Sequence, residues 1–506
     1  VIEDKKMVIK ILLLLVFFTI MILVGFYARK HATNVGDFVL GGRAVGPWLT
    51  AFAYGTTYFS AVVFVGYAGQ FGWKYGISAT WIGIGNAIMG SLLAWLVLGR
   101  RTRIMSHHLK STTMPEFFGS RYDSKALRIT AAIITFVFLI PYTASVYNGL
   151  SRLFGMAFNI PYEVCIVVMA ILTCIYVVLG GYMATAINDF VQGIIMLLGI
   201  AFVIFAVFKN NGGFMAAVGS LARFNSDAAP TLGQPGAFAS FFGPDPINLL
   251  GVIILTSLGT WGLPQMIHKF YAIKDEKAIR AGTVISTVFA IIIAGGSYFL
   301  GGFARLYGDK AVQGADGKII FDAIVPNMLS SLSDLLIGIV VVLVLSASMS
   351  TLASLVMTSS STLTLDLIKG NVVKNISEKK QLLIIRILIV FFIALSVIIA
   401  INPVTFIAQL MSISWGALAG SFLAPFIYGL YWKRVTKAAV WVSFASGVGL
   451  IVSNMFLKFI ASPINAGAIA MLAGLVIVPV VSLITPRMKK DKVAEIFDCY
   501  KDTAIK

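Results

Sequence analysis

AFAYGTTYFSAVVFVGYAGQ (51–70) and LTSLGTWGLPQMIHK (255–269) decide how this chain folds. Each lies in an apolar run long enough to cross a bilayer, which takes about 20 residues, and each is interrupted. Gly55 with Thr56 and Thr57 places a small, polar step at the middle of the first. Gly259, Gly262 and Pro264 interrupt the second, since proline lacks a backbone donor and clashes with the preceding turn. Irregular backbone at membrane depth is tolerated only where protein or a water-filled cavity covers it. Breaks of this kind free carbonyls that can hold a cation and expose half-helix N-termini that can face an anionic group. Ordinary kinks or packing glycines would use the same residues, so the positions of the breaks carry the weight.

Outward from these two stretches, the chain reads as a polytopic membrane protein. It has 506 residues, 58% hydrophobic and 12% charged, against about 25% charged in soluble domains. That excludes a soluble multidomain enzyme, and the apolar content excludes disorder. Thirteen candidate spans fall near 8–28, 48–70, 77–99, 128–157, 161–180, 188–209, 246–267, 282–305, 332–363, 383–402, 404–431, 437–458 and 465–485. The first exceeds a usual signal-peptide core and lacks an A-x-A site, so it reads as a retained helix. The two interrupted spans each open a set of five, 48–209 and 246–431. Residues 1–47 then supply an extra N-terminal helix and loop, 210–245 an outer loop, and 432–506 two C-terminal helices and a tail. Paired broken helices in corresponding halves point to an inverted-repeat secondary transporter.

The net charge of +18 would suggest nucleic acid on a soluble protein. Here most of the Lys and Arg fall on one side of thirteen alternating spans. Among them are Arg29, Lys30, Arg43, Arg100, Arg101, Arg103, Arg121, Arg128, Lys269, Lys274, Lys374, Lys433, Arg434, Arg487 and Lys506. The positive-inside bias puts that side, and the C-terminus, in the cytoplasm of a plasma-membrane protein, with the N-terminus outside and no nucleic-acid role. His31, His107, His108 and His268 fall there too and read as solvated or headgroup residues rather than metal ligands. Cys165, Cys174 and Cys499 form no disulfide framework or CxxC site. No phosphate loop, HExxH or GxSxG motif supports an ATP-driven pump or an enzyme.

Two further features fit beside the breaks. In SASMSTLASLVMTSSSTLTLD (346–366), Ala347, Ser350 and Thr351 stand at i, i+3 and i+4 on one helix face. Two hydroxyls and a carbonyl there suit a hard cation; hydroxyls bonding back to their own helix are the alternative. Asp189, in GGYMATAINDFVQG (180–193), is the acid nearest the interior of an apolar stretch. An ionisable residue so placed is a functional candidate, or else an interfacial residue at the start of the sixth span. No Lys, Arg, Asp or Glu falls in the central zone between the two breaks.

Together these residues resemble the sodium:solute symporter family, with its LeuT-type fold. The resemblance runs from about 35 to 437. It rests on the order and spacing of DFVLGGRAVGPW (37–48), the broken second span, YGISATWIGIG (75–85), TTMPEFFGSRY (112–122), GGYMATAINDFVQ (180–192), GLPQM (262–266), MSTLAS (349–354) and SISWGALAG (412–420). It implies an all-α protein with a 5+5 inverted repeat. It also implies a sodium site built from the carbonyls of Thr56, Phe59 and Ala347 and the hydroxyls of Ser350 and Thr351. A second sodium site in some members would use Asp189 with hydroxyls at 350, 353 and 354. Ser350 and Ser354 are present, but position 353 is Ala353, which departs from the two-sodium pattern.

The solute is expected between the two breaks, near the bilayer midplane, with Tyr58, Ser60, Trp81, Tyr142, Thr260, Trp261 and Trp415 as candidate lining residues. With no side-chain charge to meet it, a solute with one carboxylate or a zwitterion is favoured. Proline-transporting members carry Asp where this chain has Tyr58, and TTYFSAVVFVG (56–66) looks more like pantothenate and monocarboxylate carriers. The expected activity is Na+-coupled symport of a small organic solute, an amino acid such as proline or a small carboxylate, by alternating access. The partners are Na+, the solute and the lipid bilayer. A proton-coupled carrier with Asp189 titrating, a sugar symporter and a transporter-like sensor are the alternatives.

Overall fold

The computed structural model describes residues 2–29, 34–158, 160–310, 319–330, 332–369, 371–373, 376–402 and 406–501. Lys30, His31, Lys374 and Lys506 lie outside them. The fold is all-helical, with turns and loops between the helices; among the described residues β pairing is limited to isolated bridges, such as Val45 with Ile273. The principal helices are α1 (Ile2–Arg29), α2 (Pro47–Tyr58), α3 (Ala68–Tyr75), α4 (Arg100–His108), α5 (Met114–Arg121), α6 (Lys125–Phe158), α7 (Tyr162–Asn210), α8 (Pro246–Leu258), α9 (Pro264–Ala272) and α10 (Glu276–Ala290). They continue with α11 (Asp334–Thr362), α12 (Glu378–Ile401), α13 (Ile407–Tyr431), α14 (Lys437–Leu457), α15 (Pro463–Ile484) and α16 (Lys490–Phe497).

Helix starts follow local chemistry. Asp245, Asp275, Thr436 and Ser462 each cap a helix by accepting a backbone N–H of its first turn. Proline stands in the first turn of α2, α5, α8, α9 and α15, where its missing donor is not needed.

Ten helical stretches among the described residues are long and apolar enough to cross a membrane, or up to eleven if the bent pair of α8 and α9 counts as one span. The thirteen expected spans are fewer here for local reasons. The second and third fuse into one helical run, Val62–His108, and the fifth contributes only the short apolar helix Tyr162–Ile175. Two glycines mark where those runs turn. Gly76 has φ +62°, and a Cβ there would meet the Phe238 carbonyl oxygen at 2.1 Å. Gly181, inside α7, has φ +58° and lies against Phe38. Both conformations are ones L side chains disfavour.

The layering places the candidate site. In the most apolar window of each helix, 89% of α13 and 78% of α11 is buried within the protein, against 22% of α1. The helices carrying Ser350, Thr351 and Trp415 are therefore the enclosed ones. At the basic end, many cations bond protein oxygens instead of being free in solvent. Arg43 donates to the Ser111 carbonyl at 2.6 Å, Arg121 to Gly429 at 2.8 Å, and Arg128 to the buried Asp366 at 2.7 Å. Arg103 likewise reaches the carbonyls of Ile273 and Lys274. His107 and His108 are exposed as expected, but His268 is buried, edge-on to Tyr182 at 5.3 Å. Its place on α9, packed inside the bundle, overturns the solvated reading.

Candidate functional site: two oxygen clusters on one helix

Both expected breaks are present, one of them displaced. α2 runs unbroken through Gly55, Thr56 and Thr57 and ends at Tyr58. The interruption falls at Phe59 and Ser60, after which a wide turn, Val62–Tyr67, leads into α3. Gly55 has a packing role: a Cβ there would lie 2.4 Å from the Phe289 ring. The other break falls where proline and glycine predict. α8 ends at Leu258, a tight turn covers Gly259–Trp261, and α9 restarts at Pro264 with a bend of 41°.

The first cluster forms where the broken α2 meets α11. The Phe59 N–H closes the last turn of α2 on the Gly55 carbonyl. The carbonyls of Thr56 and Thr57 face the Thr351 hydroxyl at 3.2 and 3.1 Å, and the Ala347 carbonyl faces it at 3.1 Å. One hydroxyl proton satisfies one of these three oxygens at a time, so the others keep lone pairs available. Ser350 Oγ donates to Thr56 Oγ1 at 2.7 Å, and Thr56 Oγ1 to the Phe52 carbonyl at 2.8 Å. Phe59 and Ala347 line a cavity of about 10 Å³, the size of a single water. Thr56, Phe59, Ala347, Ser350 and Thr351 are all buried. That cavity is walled mostly by apolar side chains, with Ser60 and Ser297 beside it; the neutral oxygens that could hold a monovalent cation as cargo are those of Thr56, Thr57 and Ala347 gathered at Thr351.

The second cluster lies further along α11. Asp189, on α7, is fully buried; it faces Ser350 and Lys269, with neither carboxylate oxygen in good hydrogen-bond geometry. Lys269 Nζ donates to Ser354 Oγ at 2.9 Å and lies 5.2 Å from the Tyr182 ring centroid. Ser354 Oγ is also 2.9 Å from Thr57 Oγ1, which links the two clusters. Lys269 is only 2% exposed. This corrects the expectation that Lys269 sits among the solvated basic residues: α9 carries it inward beneath the break. The sequence signal was present in the five-residue distance from Pro264 to Lys269. A restarted helix there buries its first turns.

The solute candidates divide. Tyr58, Tyr142 and Trp415 gather in one buried aromatic group, with ring centroids 6.1 Å apart for Tyr58–Trp415 and 5.9 Å for Tyr142–Trp415. Tyr142 also lies beside Ser60. The Gly259 turn packs directly on Trp415. Tyr58 donates to the Thr256 carbonyl at 2.6 Å, Thr260 to Gly90 at 3.2 Å and Trp261 to Met89 at 2.8 Å. Trp415 Nε1 is buried and faces the Tyr142 hydroxyl without a well-formed hydrogen bond, so its donor can turn to a solute inside the group. Trp81 stands apart: it bonds the Phe241 carbonyl and packs edge-on against that ring in the loop between α7 and α8. The helical run through Trp81 turns it away from the break.

The family model for the sodium:solute symporters matches residues 38–447, most of the chain and both oxygen clusters. The chain belongs to the sodium:solute symporter family. Its coupling ion is therefore Na+, and the family and the relatives below are transporters. It is 29% identical over 484 residues to the osmoregulated proline transporter OpuE of Bacillus subtilis (strain 168), covering 94% of each chain. It is 29% identical over 454 residues to the sodium/proline symporter of Staphylococcus aureus (strain JH9), covering 87% of this chain and 85% of that one. In fold it matches a Na+-coupled sialic acid symporter with TM-score 0.75 at 17% identity, over 95% of this chain and 98% of that one. A nucleobase-cation-symport-1 family transporter matches with TM-score 0.53 at 11% identity, over 91% and 98%.

Proposed function

We propose that this symporter carries a small carboxylate-bearing solute, L-proline first among candidates, into the cell with Na+ by alternating access. The observation that carries the reading is the break at Phe59 and Ser60. It leaves the main-chain oxygens of Thr56 and Thr57 aimed at Thr351 and the Thr56 hydroxyl at Ser350, while placing Tyr58 against Trp415, on which the Gly259 turn packs. Ion and solute sites thus share one interruption. Na+ held between α2 and α11 fixes Tyr58 and Ser60, and so completes the solute group. One charge crossing 100 mV supplies about 2.3 kcal/mol, enough for roughly fifty-fold accumulation before the Na+ gradient adds to it.

Proline is supported by the two relatives named as proline transporters. Tyr58 favours a second reading, a pantothenate-like or short monocarboxylate solute, because its hydroxyl is engaged with Thr256 and offers no charge to an imino nitrogen. Uptake of labelled L-proline into proteoliposomes, with pantothenate and lactate as competitors, separates the two. Uptake driven by a pH gradient in the absence of Na+ would overturn Na+ coupling in either case.

The same reading takes the chain as thirteen spans, with 48–209 and 246–431 as inverted five-helix repeats, in the plasma membrane. The N-terminus is outside and the basic end, with the C-terminus, is cytoplasmic. Labelling of single cysteines at position 239 in the outer loop and at position 490 in the tail, in intact cells, tests the orientation. Only the former should react.

A further inference from the structure

The second cluster has the wrong chemistry for a free ion. Ala353 contributes no oxygen, and the Ser354 hydroxyl already accepts from the Lys269 ammonium at 2.9 Å while engaging Thr57 at 2.9 Å. The positive charge that faces Asp189 is therefore supplied by the chain itself, although neither carboxylate oxygen reaches it in a direct bond. An ammonium has three donors and no acceptor, so it bonds serine oxygens as a cation would, but it carries its positive charge on a fixed stem. Burial leaves it little room to withdraw: Lys269 is 2% exposed and covered by the Tyr182 ring. A second unit cation among Asp189, Ser350 and Ser354 would meet that ammonium in a poorly screened interior, where like charges repel strongly.

We propose that Lys269 is a tethered cation standing in for a second Na+, so that this chain binds one Na+ per transport cycle at the cluster of Thr56, Phe59, Ala347, Ser350 and Thr351. The ammonium also has a positioning role. It pins α9 to α11 through Ser354, and Ser354 touches Thr57, whose carbonyl faces Thr351. The half-helix after the second break is thereby tied to the ion site at the first. The proposal rests on the Na+-coupled reading above and adds the ion count to it.

The test needs no solute. 22Na+ binding to the purified full chain is measured at equilibrium by scintillation proximity, with choline replacing Na+. One Na+ per chain is expected, with a Hill slope of 1. Lys269→Met combined with Ala353→Ser frees the carboxylate and restores the missing hydroxyl. It is expected to bind two Na+ per chain. Lys269→Arg keeps a cation in place and is expected to remain at one. Should the Met variant fail to fold, Ala353→Ser alone, with Lys269 retained, is expected to stay at one. Two Na+ on the unaltered chain, or on Ala353→Ser, overturns the proposal. So does a folded double variant that still binds one. No Na+ binding at all on the unaltered chain sinks the Na+-coupled reading itself, which distinguishes the two failures.

Discussion

The two oxygen clusters on α11 stand within one turn of each other and differ in a single respect that decides what each can hold. Around Thr351 every bonded polar atom is a neutral main-chain carbonyl, and Ser350 bonds the neutral Thr56 hydroxyl while the Asp189 carboxylate faces it from α7. Ser354 instead bonds the buried ammonium of Lys269, which faces the buried Asp189. Neutral oxygens leave a net attraction for an ion arriving from water. A buried ammonium already bonded there leaves little, because an arriving cation meets a like charge in a poorly screened interior. Similar hydroxyls on one helix thus make a place for cargo in one cluster and a fixed strut in the other.

The widest effect on this contrast comes from breaking the strut. Asp189→Asn leaves Lys269 buried without its counter-charge, and removal of one member of a buried pair costs about 3–5 kcal/mol. Thermal unfolding in detergent without Na+ should show a large drop, and Asp189→Asn with Lys269→Gln should recover most of it. An unchanged melting temperature in the single variant would mean the two charges do not depend on each other.

Next in size is the loss of a ligand from the neutral cluster. Ser350→Ala or Thr351→Ala removes one oxygen contact to a charged group, about 1.5–3 kcal/mol. The Na+ concentration giving half-maximal uptake should rise about 10- to 100-fold. Stability in the absence of Na+ should change far less than in the Asp189 variant. If Na+ dependence were unchanged, the ion would have to be placed elsewhere.

Gly55→Ala tests whether the neutral cluster depends on the approach of α2. The added methyl meets the Phe289 ring at 2.4 Å, and overpacking of this kind costs about 1–3 kcal/mol. The shift of α2 should weaken Na+ binding in parallel with stability. Gly25→Ala, where nothing lies within 4 Å, is the control and should change neither.

The membrane class, the two interrupted helices and the hydroxyl face on α11 were legible because each is a local pattern: apolar length, Gly–Pro punctuation, and i, i+3, i+4 spacing. The break at Phe59 was misplaced by a few residues because Gly55 serves packing against Phe289, a contact 234 positions away that local sequence does not encode. Lys269 was missed for the opposite reason. It looks like one of the basic residues that orient the chain, and only the 41° bend between α8 and α9 carries it under the break. The boundaries between spans were hardest to read where Gly76 and Gly181 turn the chain within continuous helical runs, without a polar loop to mark them.

The smallest expected effect separates two tryptophans that the sequence presents as equals. Trp81 is tied to Phe241 in the loop between α7 and α8, so Trp81→Ala should leave half-saturation for Na+ and for solute within about twofold, as surface changes of up to about 0.5 kcal/mol do. Trp415→Phe keeps the ring contact with Tyr58 and Tyr142 but removes the Nε1 donor. It should raise solute half-saturation several-fold while leaving Na+ binding measured without solute unchanged. Tyr58 sits between Thr57 and Phe59, so any loss of Na+ binding in Trp415→Phe would mean that the aromatic group holds the break in shape, and that the ion site and the solute site are one structure rather than neighbours.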